Sequence, residues 1–173
     1  GFQGCTVSEG WERKSGRAWM RTLMSVSCGR DGMSRVFLDT NILIYLIEDA
    51  GSNGRKAVAL LERMTKRKDI VCTSTLTLGE LLVKPLEHGN AALAAAYESA
   101  LNSPGMILLD FDSKASRAYA EIRQDKSIRA PDAIQLAVAA SAGCDLFVTN
   151  DDRLTKKIIR GIHFITSFDN IPF

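Results

Sequence analysis

Two short apolar runs end in clusters of carboxylate, hydroxyl and amide side chains. Val36-Phe37-Leu38 runs into Asp39-Thr40-Asn41, and Leu146-Phe147-Val148 runs into Thr149-Asn150-Asp151-Asp152. Two further acids stand in related settings. Glu80 lies among the apolar Leu78, Leu81 and Leu82, and Asp132 follows Pro131 at the head of a helical stretch, where unpaired N–H groups favour a carboxylate. Four acids brought into one cleft would repel one another, and one or more would take up protons unless a cation entered. An all-oxygen set favours Mg²⁺ or Mn²⁺ over zinc. Such an ion suits phosphoryl chemistry: it polarises the phosphate, activates a water and steadies the leaving oxygen. Any one of the strand-end and first-turn acids alone reads at least as well as a cap, whereas Glu80, among apolar neighbours, is harder to dismiss. Asp110 and Asp112, after Leu108-Leu109, satisfy the same spacing, so spacing does not exclude them.

Convergence requires elements that deliver the acids to one place. The pattern from residue 36 onward predicts strands at 36–38, 70–72, 106–109, 146–148 and 163–165. Between them it predicts helices at 42–48, 53–67, after Thr73-Ser74 to a stop or kink at Pro85, 91–101, 113–123, 131–142 and from Asn150-Asp151 through 159. Residues 102–105 read as a loop and Gly143 as a helix end. Short apolar strands without clean alternation, separated by helices, predict a mainly parallel central sheet covered on both faces, a three-layer α/β/α single domain. Ligands of such folds bind outside the carboxyl ends of the strands, where the 39–41 and 149–152 clusters would share an edge.

Taken together, four blocks resemble the PIN-domain family over about residues 35–170. They are Val36-Phe37-Leu38-Asp39-Thr40-Asn41-Ile42-Leu43-Ile44-Tyr45, Thr77-Leu78-Gly79-Glu80-Leu81, Ala130-Pro131-Asp132-Ala133-Ile134-Gln135-Leu136-Ala137 and Leu146-Phe147-Val148-Thr149-Asn150-Asp151. The resemblance implies an Mg²⁺- or Mn²⁺-dependent endoribonuclease with Asp39, Glu80, Asp132 and Asp151 as its metal-binding acids. Thr40, Asn41, Thr149 and Asn150 would position water, metal or phosphate. The size looks most like the VapC-type toxins of toxin–antitoxin pairs, which implies a homodimer acting on RNA and neutralised by a small antitoxin whose tail enters the acidic cleft. Two features depart from the family pattern: the first 32 residues have no counterpart, and Asp152 is an extra acid, leaving open which of Asp151 and Asp152 faces the metal. The resemblance, and not the spacing, leaves Asp110 and Asp112 outside the site.

Charge refines this picture. The 173 residues hold 22 Lys+Arg and 20 Asp+Glu, a net +2. Residues 1–35 carry +3 of this and residues 36–173 carry −1, so nucleic acid would have to be held by locally placed cations, not by bulk charge. Arg129 and Arg153, each within three residues of a proposed ligand, are the candidates to meet phosphate. Residues 1–32 read as a leader, non-native or disordered, ahead of a natural start at Met33 and of a nuclease domain over 33–173. The four cysteines, Cys5, Cys28, Cys72 and Cys144, form no metal spacing. Free thiols fit a reducing cytoplasm, and no apolar run approaches the roughly 18 residues of a membrane span. Three other readings compete: a PIN nuclease that is not a toxin, a catalytically silent RNA-binding module on the same fold, and a haloacid-dehalogenase-like phosphatase using Asp110.

Overall fold

The computed structural model describes residues 33–48 and 51–171; the leader reading of residues 1–32 lies outside them. Strand β1 (Arg35–Leu38) leads into helix α1 (Thr40–Glu48), then α2 (Ser52–Arg67) and β2 (Ile70–Ser74). Helices α3 (Thr75–Glu87) and α4 (Ala91–Leu101) precede β3 (Met106–Leu109), and α5 (Ser113–Ile122) and α6 (Ala130–Ser141) precede β4 (Leu146–Val148). A four-residue helix α7 (Asp152–Thr155) and strand β5 (Phe164–Thr166) complete the order, followed by a 3-10 turn at Phe168–Asn170.

The strands pair in the order β3-β2-β1-β4-β5, and every pairing is parallel. The expected three-layer arrangement follows from how β1 alternates. Val36 and Leu38 point into a core shared with α1, α2 and α4, containing Leu43, Leu61, Met64, Tyr97 and Leu101. Phe37 points to the other face, into a core with α5 and α6 that includes Ala133, Leu136 and Phe147. Its ring stacks on Phe147, the facing residue of β4, with centroids 5.0 Å apart and planes 8° from parallel. Both faces of β1 are fully buried, so its sequence lacks polar alternation. Because all five strands run the same way, the carboxyl ends of β1 and β4 lie side by side.

Three expectations change. Pro85 does not end α3: it lies in the last turn, and the helix continues two residues further to Glu87. The helix expected through residue 159 stops at Thr155. Lys157 is drawn instead onto Asp125 and Ser127, at 2.7 Å each, while Ile159 and Ile162 turn inward and Ile158 is left outside. The last strand begins at Phe164, one residue later than expected.

The two described cysteines, Cys72 and Cys144, are buried free thiols beside each other. The neighbouring Cys72 thiol, and then burial, push the Cys144 thiol up. Gly161, in the segment returning to β5, has φ +94°, and a Cβ there would meet the carbonyl oxygen of Ala140 in α6 at 2.9 Å. Both the left-handed backbone and the close approach require glycine. Gly161→Ala is expected to destabilise the fold by roughly 1–3 kcal/mol, read as a lower thermal unfolding midpoint; an unchanged midpoint would contradict the tight passage over α6.

Candidate active site

The site begins where β1 runs out. Asp39 continues the sheet, its N–H donating to the Val148 carbonyl at 3.0 Å, and its side chain is held from two directions. The Thr40 N–H donates to Oδ1 at 2.8 Å and the Thr149 hydroxyl donates to Oδ2 at 2.7 Å. Thr149 is thus the strand-end partner of Asp39, and it also accepts from the Asp151 N–H at 3.1 Å. Burial raises the proton affinity of Asp39. The hydrogen bonds from Thr149 and Thr40 oppose that rise, and repulsion from Asp132 and Glu80 adds to it.

Glu80 arrives from α3. Ser74 caps this helix through its hydroxyl, which accepts from the Thr77 N–H at 3.2 Å and so fixes where the helix starts. Glu80 follows in the second turn, and its Oε2 accepts from the Thr40 hydroxyl at 2.5 Å and from Gln135 Nε2 at 3.3 Å. Asp132 comes from the first turn of α6, where it accepts from Arg129 Nε at 3.1 Å. Asp151 caps α7. Its Oδ1 accepts from the backbone N–H and Nε of Arg153, both at 2.9 Å, while its Oδ2 pairs with Arg153 Nη2 and lies 3.7 Å from Arg129 Nη2. The Arg153 guanidinium holds the Asp151 carboxyl below the usual carboxylate range, and Arg129 contributes in the same direction.

These four acids line one cleft of about 200 Å³, together with Thr40, Asn41, Arg129, Pro131 and Gln135. Four separate chain segments therefore present carboxylates to one small volume at the carboxyl edge of the sheet. Of the neighbouring pair, Asp151 lines the cleft, whereas Asp152 is an exposed first residue of α7. Asp110 and Asp112 do not line it. They follow β3, two strands from β1, which places them about 10 Å along the edge. Asp112 is spent capping α5 through Ala115 N–H at 2.8 Å. Asn150 also points elsewhere, donating to the Tyr45 hydroxyl at 3.1 Å.

Two features were not visible in the motifs. Arg129 and Arg153 are turned onto the site's own carboxylates. Among the described residues no three His, Cys, Asp or Glu side chains are gathered into a closed ligand cluster, consistent with acids that repel one another and two that are drawn aside by arginine. The second is a buried polar layer beneath the cleft made of Thr73, Ser74, Thr77 and Gln135. Its only sequence signal was one amide on a helix face otherwise built from Ala133, Leu136, Ala137 and Val138.

The raised proton affinity of Asp39 has a consequence for stability. Its folded pKa lies above its unfolded value, about 3.9, so the stabilisation it gives is complete below that value and is lost as pH rises through the folded one. In chelator at pH 7, Asp39→Asn is therefore expected to unfold at a temperature equal to or above that of the wild type, with the advantage shrinking on acidification to pH 4. A wild type that outlasts the variant more strongly at pH 7 than at pH 4 would contradict this.

The PIN-domain family model matches residues 36–158. Among solved structures the chain is similar to one from VapBC2 of Rickettsia felis bound to a promoter DNA fragment, with 20% identity and a TM-score of 0.59 over 77% of this chain and 98% of that one. It is also similar to a chain of a toxin–antitoxin complex from Klebsiella pneumoniae, with 24% identity and a TM-score of 0.58 over 73% of this chain and 94% of that one. A third is VapBC-5 of Mycobacterium tuberculosis, with 24% identity and a TM-score of 0.52 over 78% of this chain and 98% of that one. At such identities the likeness is one of fold. No curated protein matches the sequence significantly. The family match covers most of the chain and includes all four carboxylate-bearing segments: the chain belongs to the PIN-domain family of nucleases.

Proposed function

We propose that this PIN domain is a divalent-metal-dependent endoribonuclease, the toxin of a toxin–antitoxin pair. The observation that carries the reading is the convergence of Asp39, Glu80, Asp132 and Asp151 on one cleft from four segments. An all-oxygen donor set with a half-buried, mutually repelling member fits Mg²⁺ or Mn²⁺, and Asp39, Glu80, Asp132 and Asp151 would hold it. When bound, the ion would polarise the scissile phosphate and activate a water for attack.

The chain's own residues prepare that chemistry. Thr149 and the Thr40 N–H fix both oxygens of Asp39, and the Thr40 hydroxyl fixes one oxygen of Glu80, so the carboxylates are aimed before a substrate arrives. Asn41, exposed on the cleft wall, would meet water or phosphate there. Arg129 and Arg153 stand at the mouth with largely exposed side chains, where guanidinium groups can exchange a carboxylate for an incoming phosphate oxygen. Thr149 supports the site through Asp39, and Asn150 is directed to Tyr45.

The toxin reading is supported by fold: the similar solved chains come from VapBC and other toxin–antitoxin complexes, and this chain spans nearly their whole length. On that reading the partners are an antitoxin that occupies the acidic cleft and a second copy of the chain. Buried free thiols fit a cytoplasmic location, and no helix among the described residues is long and apolar enough to cross a membrane. The phosphatase alternative is the weaker reading, because Asp112, the second acid of its Asp-x-Asp pattern, caps α5.

The test is cleavage of single-stranded and structured RNA in Mg²⁺ or Mn²⁺. Asp39→Asn and Asp132→Asn are each expected to lower kcat by roughly 100-fold or more, since several kcal/mol of charge stabilisation depend on the ion. Chelator should abolish the wild-type activity. Variants as active as wild type, or activity indifferent to chelator, would refute the site. RNA binding without metal binding would identify a silent module instead. Growth arrest on expression, relieved by Asp39→Asn, would distinguish a toxin from a housekeeping nuclease.

A further inference from the structure

Gln135 is 2% exposed, one turn beyond Asp132 in α6, and every polar atom of its side chain is used. Its Oε1 accepts from the Ser74 hydroxyl at 2.5 Å. Its Nε2 has Thr77 Oγ1 at 2.9 Å, Thr40 Oγ1 at 3.3 Å and Glu80 Oε2 at 3.3 Å. The amide can face only one way, because the carboxylate of Glu80 offers no hydrogen and must meet the NH₂ end. Thr77 is anchored in turn by Thr73 at 2.9 Å, and Thr73 lies 2.9 Å from the carbonyl oxygen of Leu38, directly before Asp39. One buried amide thereby joins the helix carrying Asp132, the helix carrying Glu80 and the strand end carrying Asp39.

We propose that Gln135 is a positioning residue that aims Glu80 at the metal, an inference that rests on the reading of the cleft as a cation site. Both donors that reach Glu80, the Thr40 hydroxyl and the Gln135 amide, converge on Oε2. Among the described residues no donor meets Oε1, so that oxygen is the one Glu80 offers to the cleft. A carboxylate on a flexible three-bond side chain gains affinity for a cation when its orientation is set beforehand, and groups that orient metal ligands are typically worth 10–100-fold in affinity or activity. The amide also satisfies the buried hydroxyls of Ser74 and Thr77, a structural duty that the measurements below separate from the aiming of Glu80.

Calorimetric titration of the full chain with Mn²⁺, alongside kcat and KM on an oligoribonucleotide, tests this with Gln135→Met, Thr77→Val and Glu80→Gln. Gln135→Met keeps length and removes both hydrogen-bonding ends. It is expected to weaken Mn²⁺ binding about 10-fold and to lower kcat by a similar factor, with KM for RNA within about twofold. A merely structural amide would lower the unfolding temperature and leave Mn²⁺ affinity of the folded protein unchanged, which would overturn the proposal. If Gln135→Met does not fold, Thr77→Val decides. It removes the hydroxyl that accepts from the amide at nearly constant shape, and unaltered Mn²⁺ binding in that variant also overturns the proposal. Glu80→Gln separates the two levels: binding lost there but retained in Gln135→Met refutes only the positioning role. Binding retained in Glu80→Gln itself refutes the assignment of Glu80 beneath it.

Discussion

The structure turns on the cost of placing the Asp39 carboxylate at the end of a buried parallel strand. The carboxylate is half-buried there, and two other acids face it. The chain answers with one backbone and one hydroxyl donor, each to a separate oxygen, and Asp39 still holds its proton more tightly than an exposed aspartate. A site optimised for the stability of the metal-free chain would not keep this group. The residual strain is what a cation would relieve, and it gives the cluster a reason to exist.

The rest of the fold can be read as support for that point. Parallel pairing of β1 with β4 brings Thr149 beside Asp39, and pairing of β1 with β2 brings the capped start of α3 close enough for Glu80 to reach Thr40. The stacked Phe37 and Phe147 rings lock the β1–β4 pair from below, so the two strand ends share one rigid base. Charge at the rim is handled differently from charge within. Asp132 and Asp151 lean on exposed arginines whose contacts are cheap to exchange, whereas Asp39 and Glu80 are held by buried hydroxyl and amide groups that are costly to disturb.

Much of this was legible in the residues. The bounds of α4, β3 and β4 coincide with expectation because Pro104, Gly105 and the short apolar runs punctuate the chain unambiguously. Asp39 and Asp151 could be placed on one edge because each follows a strand of a parallel sheet, an argument that admitted Asp110 and Asp112 equally. The end of the chain was less legible: Ile158 and Ile159 continue a helical pattern, yet the return to β5 over α6 needs Gly161 and a turn, so α7 stops early. Gln135 was silent because its meaning depends on partners 55 and 61 residues away, which no local period encodes. The direction taken by Arg129 and Arg153 was hidden for a related reason. Both lie near acids in sequence, and only the folded geometry shows them bound to those acids rather than turned outward.

Whether the cleft bounded by Asp39, Glu80 and Asp132 holds a cation is tested by anomalous diffraction from crystals soaked in Mn²⁺. A strong anomalous peak is expected inside the cleft, within coordination distance of Asp39 directly or through one water. Soaked crystals with no peak there, or with manganese bound only at other surface acids such as Asp110 and Asp152, would contradict it.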